Sequence, residues 1–252
     1  SNTTASSKAT SGAASLGAAP LAERMRPNRI DEYFGQEALM AEGAPLRRAI
    51  EDDKVYSVIL WGPPGSGKTT LARIIAQHTD REFITLSAVM AGVKDIKESV
   101  ARARDLLQFS SRRTILFIDE IHRFNKSQQD ALLPFVENGT VTLIGATTEN
   151  PSFELNSALL SRAPVVVLKP LAMEHLLGIL QRACIDTAFG IANLKVKVPH
   201  TWLSEIAQIA NGDARKALTL LERTAEYLNS VRNPQELEMD LTNQKGREFF
   251  ER

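Results

Sequence analysis

The chain contains a single cysteine, Cys184, among its 252 residues. That excludes a disulfide framework and any cysteine-based zinc site, and it fits a reducing, intracellular compartment. Within an apolar, helix-like stretch, Cys184 reads as a small buried residue. Charge of one sign is lacking too. Thirty basic residues face thirty acidic ones, so no global electrostatic field announces a nucleic-acid partner, and any such surface must be a local patch. No apolar run approaches the roughly 18 residues that a membrane span needs, and residues 1–20 lack the apolar core of a signal peptide. Those twenty residues are rich in Ser, Thr, Ala and Gly, with Leu16 their only large apolar side chain. Such a composition cannot bury enough surface to offset the entropy of ordering, and it predicts a tail or linker. The chain opens on Ser rather than Met.

What is present is specific. Trp61-Gly62-Pro63-Pro64-Gly65-Ser66-Gly67-Lys68-Thr69-Thr70 contains a complete G-x-x-x-x-G-K-T phosphate loop. It lies between Val55–Trp61, a strand-like run, and Thr69–Gln77, where Leu71, Ile74 and Ile75 recur at helical spacing. Further along, Ile115-Leu116-Phe117-Ile118 is an apolar strand that ends in Asp119 and Glu120. The chemistry follows from the residue types. Glycines let backbone N–H groups wrap a polyphosphate, and the following helix directs its positive end at the same anion. Lys68 supplies a point charge to the outer phosphates. Thr69 and Asp119 offer a hydroxyl and a carboxylate to Mg²⁺, which leaves Glu120 as the candidate for polarising water. The pair of motifs predicts a Mg²⁺-dependent nucleoside triphosphate hydrolase.

From Leu21 onward apolar strands alternate with amphipathic helices. Strands are expected at 83–87, 114–119, 140–147 and 165–168 beside the one before the loop, with helices at 93–109, 127–137 and 156–160. Five short, almost wholly apolar strands separated by helices predict a doubly wound, five-stranded parallel sheet with its ligand site at the C-terminal strand ends. Beyond Pro170 the pattern turns helical, at 173–188, 201–210 and 213–228, with one short strand-like run, Leu194–Val198. The expected organisation is therefore a tail over 1–20, an α/β nucleotide-binding domain over 21–170, a small helical lid over 171–230 and a polar tail over 231–252. Segment 94–113 carries Lys94, Lys97, Arg102, Arg104, Arg112 and Arg113, and His122-Arg123-Phe124-Asn125-Lys126 adds a basic loop beside the carboxylates. Together they suit either a phosphate-tracking patch or a solvated helix face with a loop that packs on a neighbouring subunit. With no second His or Cys nearby, His122 reads as a polar link between nucleotide and oligomer surface rather than a metal ligand.

The run from Leu116 through His122 to Asp130, then Leu143-Ile144-Gly145-Ala146-Thr147-Thr148-Glu149-Asn150-Pro151-Ser152-Phe153, resembles the AAA+ P-loop ATPases related to Werner-helicase-interacting protein and bacterial replication-associated recombination protein A. Arg26-Pro27 with Tyr33-Phe34-Gly35-Gln36 is similar to that family's adenine-side segment, and the likeness spans roughly residues 21–230. The resemblance implies a sensor at Thr148, with Thr147 as the alternative, and a second sensor at Arg215 of Gly212-Asp213-Ala214-Arg215. In Ser161-Arg162 it implies an arginine finger that serves the neighbouring subunit's nucleotide. It implies a homo-oligomer in the full-length protein, whose assembly domain would follow Arg252, so that this chain is the core of something longer. The one-cysteine count leaves no room for the N-terminal zinc finger of some relatives. The implied function is a DNA-dependent ATPase in replication-fork maintenance, recombination and damage tolerance. It would act on forks and single-strand/duplex junctions with low specificity, with polymerase or sliding-clamp partners and no membrane, in the nucleus of a eukaryote or the cytoplasm of a bacterium. The alternatives are a clamp-loader-like or branch-migration ATPase and a nucleotide-gated scaffold.

Overall fold

The computed structural model describes residues 19–230. Residues 1–18 of the tail expected over 1–20, and all of the tail expected over 231–252, lie outside the described residues. The elements run α1 (Leu21–Arg24), α2 (Glu37–Met40), α3 (Pro45–Glu51), β1 (Val58–Trp61), α4 (Lys68–His78), β2 (Glu82–Ser87), α5 (Val93–Ser110), β3 (Thr114–Asp119), α6 (Lys126–Glu137) and β4 (Thr142–Thr147). They continue with α7 (Pro151–Glu154), α8 (Ser157–Leu160), β5 (Val165–Val167), α9 (Met173–Ile185), α10 (His200–Ala210) and α11 (Ala214–Ser230).

The five strands form one sheet in the order β2-β3-β4-β1-β5, and every pairing is parallel. Alternation along the strands feeds two cores. Val58, Leu60, Ile115, Phe117, Ile144 and Ala146 pack with Leu71, Ile74 and Ile75 of α4 on one face. Ile59, Leu116, Ile118 and Leu143 pack with Ile96 and Val100 of α5 and Leu132 of α6 on the other. A residue period of two in the strands thus produces helices on both faces, the doubly wound arrangement. Strand β4 lies between β1 and β3, so the chain leaving β4 emerges between the phosphate loop and the carboxylate pair.

A third cluster is purely helical. Leu176 and Leu180 of α9, Ile206 of α10 and Leu221 of α11 bury against one another, joined by Leu21 and Met25 from the N-terminal segment. The run at Leu194–Val198 is not a strand. Ala192–Leu194 forms a 3-10 turn, and Val196 and Val198 serve as apolar packing against Trp202 and Leu228. Among the described residues this run pairs with no strand, and its apolar residues serve as hydrophobic cover.

Candidate functional site

The phosphate loop leaves β1 at Gly62 and enters α4 through Gly67, whose φ of 95° places it in the left-handed region. The first helical hydrogen bond runs from Leu71 N–H to the Gly67 carbonyl at 2.8 Å. The N–H groups of Lys68, Thr69 and Thr70 therefore have no partner within the helix, at a cleft that all three residues line. Lys68 is 8% exposed, and its ammonium donates to the carbonyls of Gly62 at 2.7 Å and Pro63 at 2.9 Å. Burial lowers its pKa below that of an ordinary lysine. Glu120 and Asp119 pull the other way, and Arg215 adds to the lowering. An anion in the loop would relieve both the burial and the repulsion.

The cleft, about 1180 Å³ including its open mouth, brings together Pro64 through Thr70, Asp119, Glu120, Thr148 and Arg215. These residues lie on the loop after β1, the start of α4, the C-terminal ends of β3 and β4 and the start of α11, and were singled out from sequence alone. Gly62 and Pro63 are held from behind by Lys68, and Arg162 lies elsewhere. At the end of α8, Arg162 is pinned to the outer surface by an ion pair with Glu137 and by hydrogen bonds to Ala158 O at 2.8 Å and Ser161 Oγ at 2.9 Å. Thr147 and Thr148 separate as well. Thr147 is fully buried and bonds His122, whereas Thr148 lines the cleft.

One wall of the cleft is apolar, with Met25, Pro27, Tyr33, Phe34, Ile179 and Leu218 contributed by the N-terminal segment, α9 and α11. Tyr33 donates to the Gly67 carbonyl at 3.2 Å, and burial pushes its phenol pKa up. Of the residues quoted with it, Gln36 does not line the cleft. It is a buried clasp whose amide donates to Lys169 O at 2.8 Å while its oxygen accepts from Lys169 N–H at 3.1 Å. Sequence reasoning missed Asp213, whose side chain sits on Gly65, and Arg182, which pairs with Glu32 at 3.2 Å across the cleft wall. Asp213 was legible as a helix N-cap, accepting from Lys216 N–H at 2.9 Å. Arg182 gave no signal, because its partner is 150 residues away in the chain.

Three of the six basic side chains of segment 94–113 pair with carboxylates of the same chain. Arg102 pairs with Glu82, Arg112 with Glu82 and Asp80, and Lys94 with Glu98. Arg104 lies 5.0 Å over the Phe135 ring. Among the described residues no cluster of three or more His, Cys, Asp or Glu could hold a metal, and no helix is long and apolar enough to cross a membrane. A hydroxyl and a carboxylate, Thr69 and Asp119, are nonetheless the hard oxygen donors that Mg²⁺ takes when phosphate oxygens complete its shell.

Residues 58–171 match the family described as "ATPase family associated with various cellular activities (AAA)". A solved structure of a variant of Thermotoga maritima RuvB superposes with a TM-score of 0.68 at 30% identity, covering 84% of this chain and 70% of that one. The chain belongs to the AAA ATPase family. Its relatives fall in the expected group. Replication-associated recombination protein A of Haemophilus influenzae is 50% identical over 88% of this chain and 50% of its own length. Its Escherichia coli K12 namesake is 54% identical over 82% of this chain and 46% of its own length. The ATPase WRNIP1 of Dictyostelium discoideum is 47% identical over 81% of this chain and 23% of its own length. This AAA chain thus spans half or less of the length of these relatives.

Proposed function

We propose that this chain binds ATP with Mg²⁺ in the cleft between the phosphate loop and α11 and hydrolyses it at sites shared between subunits. The whole protein would use the cycle on DNA during replication and recombination. The observation that carries the reading is the convergence of Lys68, Asp119, Glu120, Thr148 and Arg215 on one cleft while Arg162 stands on the outer surface. The base has an apolar wall at Tyr33 and Ile179, and the phosphates have the loop N–H groups and Lys68. Thr69 and Asp119 would hold Mg²⁺, which when bound neutralises charge on the transferring phosphoryl group. Glu120 polarises the attacking water, and Thr148 orients either that water or the outer phosphate. Arg215 meets developing charge from the lid side, and a neighbour's Arg162 meets it from the open side. In domain terms, residues 21–170 act as the nucleotide-binding unit and 171–230 as its lid. The work is intracellular. Names of the relatives, with replication and recombination in them, support the DNA assignment.

The test is Glu120→Gln. Nucleotide affinity is expected to stay within about twofold while hydrolysis falls by ~10²-fold or more. Unchanged turnover with intact binding would end the hydrolytic reading. Turnover measured on single-stranded, duplex and forked DNA then separates a fork-directed ATPase from a nucleotide-gated scaffold, which no DNA would stimulate. A second reading, branch migration, is favoured by the likeness to a RuvB structure described as a Holliday junction branch migration motor, with a TM-score of 0.67 at 30% identity. Stimulation by four-way junctions over forks would select it.

A further inference from the structure

Behind the cleft three side chains form a continuous polar line. Glu120 follows β3 in a left-handed backbone conformation, φ 54° and ψ 44°, uncommon for a residue with a branched-off carboxylate and maintained only where neighbours impose it. Its carboxylate oxygen Oε2 lies 3.3 Å from His122 Nε2. On the other side of the ring, His122 Nδ1 lies 2.8 Å from Thr147 Oγ1. That hydroxyl accepts from Glu149 N–H at 3.0 Å and lies 3.2 Å from the Glu149 carbonyl. The His122 side chain is 6% exposed and Glu120 35%, so the imidazole is enclosed while the carboxylate reaches the cleft. The turn that carries both is anchored from below. Arg123 N–H donates to the Glu120 carbonyl at 2.8 Å, and Ile121 is fully buried under Gly145 of β4, where an added Cβ would come within 2.8 Å of it.

On the Thr147 side this line is satisfied in either imidazole state, with Glu120 in charge-pair reach on the other. With a proton on Nε2 alone, the ring faces Glu120 with its N–H and accepts the Thr147 hydroxyl proton on Nδ1. With both nitrogens protonated, Nδ1–H donates to Thr147, which turns its own proton to the Glu149 carbonyl. The Thr147 hydroxyl and His122 Nδ1 keep a partner in both states, so neither is orphaned in its buried setting. We propose that His122 is a positioning residue. It holds the Glu120 carboxylate through Nε2 and ties it through Nδ1 to the end of β4, so that the water-polarising group and the neighbouring cleft residue Thr148 move as one unit. The inference rests on the reading of Glu120 given above. It differs from the link to an oligomer surface expected from sequence, because the far partner of His122 is the buried Thr147.

Three substitutions dissect the line. His122→Ala removes both contacts. His122→Gln keeps a donor near the place of Nε2, and His122→Asn keeps a group near the place of Nδ1. Single-turnover ATP hydrolysis and nucleotide affinity are measured with the assembled full-length protein, each variant alone and in a Glu120→Gln background. His122→Ala is expected to slow hydrolysis on the order of 10- to 100-fold, the scale on which small misplacement of a reacting group costs rate, with affinity within about twofold. His122→Gln should recover most of the rate and His122→Asn little. In the Glu120→Gln background, His122→Ala should slow nothing further, because a residue acting through Glu120 has nothing left to act on. Unchanged hydrolysis in His122→Ala would overturn the proposal while leaving Glu120 in its role. So would equal recovery by Asn, or the same fold-loss with and without Glu120. Parallel loss of affinity and rate in all three variants would mark a merely structural histidine. Normal hydrolysis by Glu120→Gln alone would overturn both readings together.

Discussion

A methyl group placed on Gly65 tests the contact between the phosphate loop and the lid. Gly65 has a φ of 69°, and a Cβ there would lie 1.9 Å from Asp213 Oδ1 and 2.7 Å from Asp213 Cα, closer than atoms can approach. Two costs follow. Alanine in a left-handed conformation costs about 1 kcal/mol. The expelled Asp213 no longer caps α11 through Lys216 N–H, a further loss of about 1 kcal/mol. Gly139 supplies the control, since its φ is 71° and an added Cβ meets nothing within 4 Å. There only the backbone cost of about 1 kcal/mol applies. The gain from restricting the unfolded chain is common to both and cancels in the comparison. For a chain of this size each kcal/mol moves Tm by roughly 2–4 °C. Gly65→Ala should therefore lower Tm by about 4–8 °C and Gly139→Ala by about 2–4 °C. Scanning calorimetry reads the first effect, and titration with a fluorescent nucleotide reads a second: only Gly65→Ala should weaken binding, because only it separates the lid from the loop. Adding Asp213→Ala to Gly65→Ala should cost little more, since the cap is already lost. A Gly65→Ala chain no less stable than Gly139→Ala, with normal affinity, would refute the seating of Asp213 on the loop.

Lys68→Ala removes a buried, charge-assisted donor worth about 1.5–3 kcal/mol, so nucleotide affinity should fall roughly 10- to 100-fold by equilibrium titration; normal affinity would contradict the phosphate-loop assignment. Because burial lowers the Lys68 pKa, binding to wild-type chain should weaken as pH rises through that lowered value, before an ordinary lysine would deprotonate. Arg162→Ala should leave affinity within about twofold and cut turnover of the assembled protein by ~10³-fold or more. Mixing Arg162→Ala chains with Lys68→Ala chains should restore part of the activity, since each supplies what the other lacks. Two inactive variants that stay inactive when mixed would refute a site shared between subunits.

The sheet and the loop were legible in the sequence because their causes are local. Apolar strands such as Ile115–Ile118, ended by carboxylates, and a glycine-rich turn before Lys68 need no distant partner to be recognised. Helix α6, expected at 127–137, starts at Lys126, where Asn125 and Gln128 cap each other at 2.9 Å in both directions. Features set by tertiary partners were less legible. Leu194–Val198 has strand-like alternation, but among the described residues it pairs with no strand, and the helical core takes its apolar residues instead. Segment 94–113 suited either a patch or a solvated helix face, and only the sheet brings Glu82 of β2 alongside to pair with Arg102 and Arg112. Gln36 sits in a stretch similar to an adenine-side segment, yet its work is to clasp Lys169, 133 residues on. Contacts of that span leave no mark in periodicity or spacing.

The resting place of Arg162 bears on how a shared site would work. Its guanidinium is held by Glu137, Ser161 and Ala158, with side chains of Arg162 and Glu137 39% and 47% exposed. An ion pair that open to solvent contributes about 0–1 kcal/mol. A finger that accelerates phosphoryl transfer by ~10³-fold lowers the barrier by about 4 kcal/mol. The second quantity exceeds the first severalfold, so leaving Glu137 for a neighbour's nucleotide would cost little of what the finger supplies. On that reading Glu137 would be a holding partner that keeps the arginine on the outer face without binding it tightly enough to compete. Glu137→Ala should accordingly change stability by no more than about 1 kcal/mol, and it should leave the turnover of the assembled protein close to wild type while Arg162→Ala abolishes it.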